Sequence, residues 1–318
     1  MTAPPLSPPR APQAPVVASR RRRLRGITVL PYALLAPAIA ALALVLGYPL
    51  IKLIVLSVQK FGLRQQFGAP ADFVGLANYH RILTDPDFRT VLVRTVLYTA
   101  VTVSLTMVIG TLLALLLQRV HRFIRLGMLT MLLLVWAMPP VSSAVIWQWM
   151  FDSQYGVINW ALTALGGDFH GHSWLSNPHS FFAVAAIVVI WMGIPFITFT
   201  VFAGLTQVPA EVLEAAQLDG ANGFQRLRHV IVPYLKPVLL ILTTLSVLWN
   251  FQVVNQIYVL QQAGGISSDT NTLGVYAYRV AIGQNRFDVG AAIAVVMVVL
   301  TLLLTAVYLR QMARQEDQ

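Results

Sequence analysis

The chain has 318 residues, 57% of them hydrophobic and 11% charged, with a mean hydropathy of +0.69. A soluble domain is about a quarter charged, so these values exclude an ordinary soluble globule and leave a polytopic membrane protein. Cysteine is absent, which excludes disulfides, thiolate catalysis and Cys-ligated metals. The net charge of +10 does not indicate a nucleic-acid binder, because six of the 22 basic residues crowd into the first 25 positions, directly before an apolar stretch.

Residues 1–27 are rich in Pro and Ala and carry no apolar period, so a disordered basic tail is expected there. Its cluster Arg20 to Arg23 plus Arg25 is attracted to anionic lipid head groups and holds this end on the cytoplasmic side. The apolar run that follows is longer than a signal-peptide h-region and lacks a small-residue cleavage pattern, so no cleavable leader is expected. A bilayer core of about 30 Å needs about 20 apolar residues in helix. Six segments qualify, near residues 30–51, 95–117, 126–150, 181–205, 237–260 and 290–309, within a membrane domain at 28–312 and before a short tail at 313–318. Six spans place both termini on one side. With that side inside, fourteen basic residues fall on inner segments and eight on outer ones, so both termini are expected in the cytoplasm.

Between the spans, Thr84-Asp85-Pro86-Asp87 reads as a helix start. Residues 73–79 and 174–178 read as short ordered turns or surface helices, and residues 264–269 as a loop. The fourth span places Gly193 and Pro195 mid-membrane, where the helix can kink and expose backbone. The fifth span crowds uncharged polar and aromatic groups into its outer half, with Ser246, Trp249, Asn250, Val253 and Gln256 on one helical face. Amides and hydroxyls beside aromatic rings suit a neutral polyhydroxylated solute. The competing reading is interhelical hydrogen bonding, at about 0.6 kcal/mol per bond. Asn255 and Gln256, near the outer interface, fit that competing reading; Trp249 and Asn250, toward Gly193, fit a solute site.

From Leu205 to Lys236 the chain is too polar to cross a bilayer. Yet Pro209 and Glu211 mark a helix start, Gly220 breaks the helix, and Phe224, Leu227, Val230 and Ile231 resume a helical period. The expected result is a pair of cytoplasmic surface helices at about residues 207–231. An amphipathic interfacial helix would explain the polarity but not the ordered Gly and the closing Pro233.

Missing chemistry narrows the function. No phosphate-binding loop of the Gly-x-x-x-x-Gly-Lys-[Ser/Thr] kind occurs, and no carboxylate lies inside a span. An ion-coupled carrier usually needs such an intramembrane acid, and a membrane enzyme needs a catalytic cluster. His170, His172 and His179 lie in an outer loop and read as loop polarity rather than a metal site; no metal is expected. Energy for uphill transport must therefore come from outside this chain.

The run Glu214-Ala215-Ala216, then Gly220, then Val230-Ile231-Val232-Pro233 resembles the cytoplasmic EAA signature of permease subunits of binding-protein-dependent ATP-binding-cassette (ABC) importers. Val230 and Val232 stand where the signature has Ile and Leu. Further blocks are similar to the carbohydrate branch, of the maltose-transporter first-permease kind. They are Leu30-Pro31-Tyr32, Gly47-Tyr48-Pro49-Leu50, residues 73–79 and 174–178, Trp191 to Phe196, and Asn250-Phe251-Gln252 with residues 257–260. The likeness spans about residues 28–312. It implies an all-α polytopic membrane protein with six transmembrane helices and the type I ABC importer permease fold, in a bacterial cytoplasmic (inner) membrane.

The resemblance also implies a division of labour. This chain would pair with a second, non-identical permease, with two ATPase subunits that bind ATP and Mg, and with an extracytoplasmic sugar-binding protein; it would hold no cofactor itself. Glu214, Ala215, Ala216, Asp219, Gly220 and Pro233 would form the element held by an ATPase subunit, with Arg226 and Arg228 flanking the socket or lying on lipid. Met192, Gly193, Phe196, Ser246, Trp249, Asn250 and Val253 fall on sugar-contacting positions. The expected cargo is a carbohydrate, a di- or oligosaccharide. The alternatives are another small solute such as glycerol phosphate, against which the lack of a basic pocket residue weighs, and an ion-coupled secondary carrier.

Overall fold

The computed structural model describes residues 30–316, with side chains from 32 to 310. The expected tail at 1–27 and the last two residues of the tail at 313–318 lie outside these. Residues 1–50 and 51–318 form two units. In the first, the helix Leu30–Leu42 passes through a π-helical turn, Ala43–Gly47, toward the helix Tyr48–Ser57, and its apolar side chains, Leu44 and Val45 among them, stand exposed. A helix apolar all round belongs in lipid or in a large core.

The second unit is built on two long helices, Pro86–Arg119 and Pro178–Leu205, packed along each other. Both start as their sequences dictate. Asp85 caps the first, accepting from the Asp87 amide at 2.9 Å, and Asn177 caps the second, accepting from the His179 amide at 2.9 Å, each with Pro in the first turn. The two backbones come close because glycines face side chains across the interface. A Cβ on Gly110 would lie 2.7 Å from Ile197, and one on Gly193 would lie 2.9 Å from Thr106. Lipid tails give helices no hydrophobic reason to associate, so such small-residue contacts carry the packing. The Thr198 hydroxyl donates to the Gly110 carbonyl at 3.2 Å across the same seam.

Around this pair, Val232–Phe251, Asn255–Gln262 and Phe287–Glu316 complete the unit. One apolar cluster joins Phe181, Val184 and Val188 to Ile257, Leu260 and Val275, and another joins Ile197 and Val201 to Leu235 and Leu242. Among the described residues the strands amount to one short antiparallel pair, Gln59–Lys60 with Asp72–Phe73. Among the described residues, five helices are long and apolar enough to cross a membrane, six if one bent pair counts as a span.

That bent pair revises one expectation. Residues 126–150 do not form a continuous helix but two, Arg122–Trp136 and Pro140–Met150, bent by 102°. Pro139 and Pro140 cause the break: neither can donate a helical hydrogen bond, and each drives the residue before it out of helical backbone. Pro139 itself is extended, with φ −61° and ψ 139°. At Gly193 and Pro195, where the sequence permits a kink and exposed backbone, the α-helix runs on unbroken. Pro195 is buried, and Gly193, half-buried, admits Thr106 closely and also lines a cavity. The fifth span, expected at 237–260, is interrupted at Gln252–Val254 between its two helices.

Candidate functional site: a charge-free cavity and a polar loop that joins its walls

A cavity of about 330 Å³ opens between the two central helices and Val232–Phe251. It gathers all seven residues singled out on the fourth and fifth spans: Met192, Gly193, Phe196, Ser246, Trp249, Asn250 and Val253. On one wall Phe196 meets Trp249 edge to face, with centroids 5.0 Å apart. Helical spacing puts Ser246, Trp249 and Asn250 on one face, with Val253 just past the helix end, and the Asn250 amide is held by its own turn, Nδ2 donating to the Ser246 carbonyl at 2.8 Å. The Asn250 Oδ1 is buried and has no hydrogen-bond partner. None of the lining residues carries a charge.

The structure adds residues that the sequence reading did not assign. Thr106 comes from Pro86–Arg119, Trp136, Met138 and Pro140 from the broken third span, and Val189 from the fourth. Thr106 belongs to a buried threonine row, Thr95, Thr99, Thr102 and Thr106, whose helical spacing was visible in the sequence. Gln256, read above as an interhelical bond, does both things: its Nε2 lies 3.6 Å from the Met192 sulfur, and the residue lines the cavity.

The polar interruption folds as Ala210–Leu218, a turn, Gly223–Arg226 and a π-helical turn Leu227–Ile231. Gly220 stops the first helix with φ +79°. The Ala221 amide donates to the Ala216 carbonyl at 3.0 Å and the Gly220 amide to the Gln217 carbonyl at 3.1 Å, the paired bonds of a left-handed helix stop. Asn222 and Gln225 then cap the second helix reciprocally, at 2.9 and 2.8 Å. The arms are tied by Arg226 donating to the Gln217 side chain at 3.2 Å, and the Tyr234 hydroxyl donates to the Gln207 carbonyl at 3.2 Å. Glu214, Ala215, Asp219, Gly220 and Pro233 are exposed and Ala216 is half-buried, so these residues form a ridge rather than a pocket. Leu218 is 89% exposed and Phe224 68% exposed on the same loop. Nearby, Arg125 donates to the carbonyls of Leu117, Gln118 and Val120, closing the C-terminus of Pro86–Arg119 with a cation, where the helix dipole favours one.

The loop leaves the end of one cavity helix and enters the start of another. A profile of the family described as binding-protein-dependent transport system inner membrane component matches residues 82–316. The chain belongs to this family. It is therefore a membrane-spanning permease of the ABC transporter class. It is 40% identical over 301 residues to the diacetylchitobiose uptake system permease protein DasB of Streptomyces coelicolor, covering 93% of this chain and 90% of that one. It is 36% identical over 239 residues to the trehalose/maltose transport system permease protein MalF of Thermococcus litoralis, covering 75% and 79%. In fold it matches a chain of a bacterial alginate ABC transporter solved in complex with an alginate-pentasaccharide-bound periplasmic protein, with a TM-score of 0.76 and 20% identity over 92% of this permease and 96% of that chain. The all-α type I importer fold expected from the sequence is the fold observed.

Proposed function

We propose that this permease passes a neutral carbohydrate, a di- or oligosaccharide, through the cavity around Trp249 and Asn250 by alternating access. The observation that carries the reading is the cavity's chemistry. An edge-to-face aromatic pair, Phe196 and Trp249, lies beside Ser246, Asn250 and Gln256, and no lining residue is charged. Aromatic faces cover the C–H side of a pyranose while amides and hydroxyls meet its hydroxyl groups. A phosphorylated solute would find no cation there. The relatives named for diacetylchitobiose and for trehalose/maltose support the same class of cargo.

The drive enters at the ridge of Glu214, Ala215, Ala216, Asp219 and Gly220. Its exposed apolar Leu218 and Phe224 and its acidic side chains suit a cleft in a separate ATPase subunit, which binds ATP and Mg. Closure of two such subunits moves the ridge as a rigid body. A second, non-identical permease completes the translocation path, and an extracytoplasmic binding protein delivers the sugar. Both termini face the cytoplasm of the bacterial cell, by the Lys and Arg asymmetry. The test is uptake by proteoliposomes holding the assembled importer, with neutral disaccharides and glycerol phosphate as competing cargoes. ATP-dependent uptake of a neutral saccharide is the expected result; uptake of the phosphorylated solute alone refutes the assignment.

A further inference from the structure

Half of the eight basic residues on the outer segments converge on one place. Lys60, Arg64, Arg81 and Arg286 line a single cavity of about 460 Å³, within the size range of small-ligand sites. The cavity is a folded object. The Asn78 side chain, buried, donates to the Ser57 and Gln59 carbonyls at 3.0 and 2.9 Å, and Gln65 Oε1 accepts from the Gly62 amide at 3.0 Å. Asn285 takes a left-handed φ of +54° at the facing loop, and Phe61 packs edge to face on Phe287. Asp288 is the one acidic residue of the lining, which leaves the cavity three positive charges in excess; its Oδ1 already accepts from the Val289 amide. Arg81 and Arg286 also border a neighbouring cavity with Asp85 and Asp87. Both oxygens of Asp85 are engaged there, by the Asp87 amide and the Tyr276 hydroxyl. Among the described residues, none of the four cations is ion-paired with a carboxylate. Concentrated like charge without a counter-ion calls for an anion.

Position selects the anion. Lys60 follows the helix end at Ser57 by three residues, and Arg286 immediately precedes the last span, Phe287–Arg310. The helix it opens, Phe287–Glu316, has 30 residues and is about 45 Å long, matching the full bilayer thickness of about 40–45 Å. Its first residue therefore sits among the head groups, and so does the basic cavity. We propose that this cavity binds the phosphate of an anionic phospholipid in the leaflet it faces, the guanidinium groups of Arg64, Arg81 and Arg286 giving charge-assisted hydrogen bonds and Lys60 a point charge.

The test is native mass spectrometry of the full chain, purified with its partner subunits, after exposure to equal amounts of phosphatidylglycerol and phosphatidylcholine. Wild type is expected to retain phosphatidylglycerol in preference, and the paired variant Arg64→Gln/Arg286→Gln to lose at least about tenfold of that retention. Arg89→Gln, outside the cavity, and the charge-preserving Arg64→Lys/Arg286→Lys pair are expected to keep the preference, which separates charge from misfolding. Equal retention of the two lipids by wild type, or undiminished phosphatidylglycerol in the glutamine pair, overturns the proposal. Displacement of the lipid by millimolar inorganic phosphate also overturns it, by showing a site for free anions instead of head groups.

Discussion

Replacing Trp249 by Ala isolates the cavity's aromatic wall. Trp249 is 55% exposed, so truncation removes little of its packing and leaves the Val232–Phe251 helix intact. What it removes is the ring that meets Phe196 at 5.0 Å and turns its free face into the cavity. A pyranose covering about 40 Å² of that face gains about 1 kcal/mol from area burial. Ring-face contacts add about 0.5–1.5 kcal/mol beyond area. The expected loss is thus about 2 kcal/mol, or about thirtyfold in apparent affinity at the membrane step. The assay is ATP-dependent sugar uptake in proteoliposomes with saturating binding protein, run beside ATPase turnover and the variant Trp249→Phe. Uptake should fall about thirtyfold in Trp249→Ala, recover in large part in Trp249→Phe, and leave basal ATP hydrolysis unchanged. Wild-type uptake by Trp249→Ala would remove the cavity from the path of the solute.

Three further outcomes follow from particular contacts. Gly220→Val forces a β-branched residue to φ +79° in open space, where a Cβ meets nothing within 4 Å, so the penalty is backbone strain of about 1–2 kcal/mol or more and not a clash. Uptake should be lost while insertion and ATPase activity persist, with Gly220→Asn milder because Asn tolerates this backbone; Glu214→Ala should uncouple in the same way, and full transport by both Gly220→Val and Glu214→Ala defeats the docking proposal. Gly110→Ala drives a methyl to 2.7 Å from Ile197 and should destabilise by about 1–3 kcal/mol, whereas Gly47→Ala, with free space around it, should change stability by no more than about 1 kcal/mol; thermal denaturation in detergent compares them. Burial, reinforced by Asp85, pushes the Tyr276 phenol up to about 12 from the ordinary value near 10. The folded state then holds its proton where the unfolded chain gives it up. The stability so contributed is full below pH 10 and is lost as pH rises toward 12. Between pH 9 and pH 11 the wild type should lose more thermal stability than Tyr276→Phe, and parallel slopes would contradict the assignment.

The two cavity walls on the fourth and fifth spans were readable because each is one helix. Met192, Gly193 and Phe196 follow one helical turn, and Ser246, Trp249 and Asn250 follow another with Val253 just past its end, so periodicity and the likeness to known permeases selected side chains that face the same way. The third wall was not readable. Trp136, Met138 and Pro140 reach the cavity only because the chain turns by 102° at two successive prolines, and a hydropathy window sees that stretch as one apolar run. The prolines were in view, but their consequence depends on which neighbour receives the displaced helix. Gly193 was only half readable, for a related reason. A glycine beside a proline in a span permits exposed backbone and also a close neighbour; Gly193 has both, and no local pattern reveals that the neighbour is Thr106. The basic cavity escaped notice altogether, since Lys60, Arg64, Arg81 and Arg286 lie in three separate stretches of chain and counted only as outer charges in the orientation argument.

The connectivity of the polar loop bears on how its movement reaches the solute. Pro178–Leu205 carries Phe196 and ends nine residues later at the loop; Val232–Phe251 begins at the loop and carries Trp249 sixteen residues beyond Pro233. At 1.5 Å per residue these are levers of about 14 and 24 Å. The loop therefore hinges the two helices that supply the Phe196–Trp249 pair. If the ridge at Glu214 is displaced as a body, these arms of unequal length turn through different arcs, and the two rings separate or slide past one another. The edge-to-face contact at 5.0 Å is then the element most sensitive to the drive. Paired spin labels at positions 196 and 249 should report a distance change between nucleotide-free and ATP-bound importer, one that Gly220→Val abolishes. An unchanged distance in the coupled wild type would mean that the loop drives the partner permease's wall and leaves this one still.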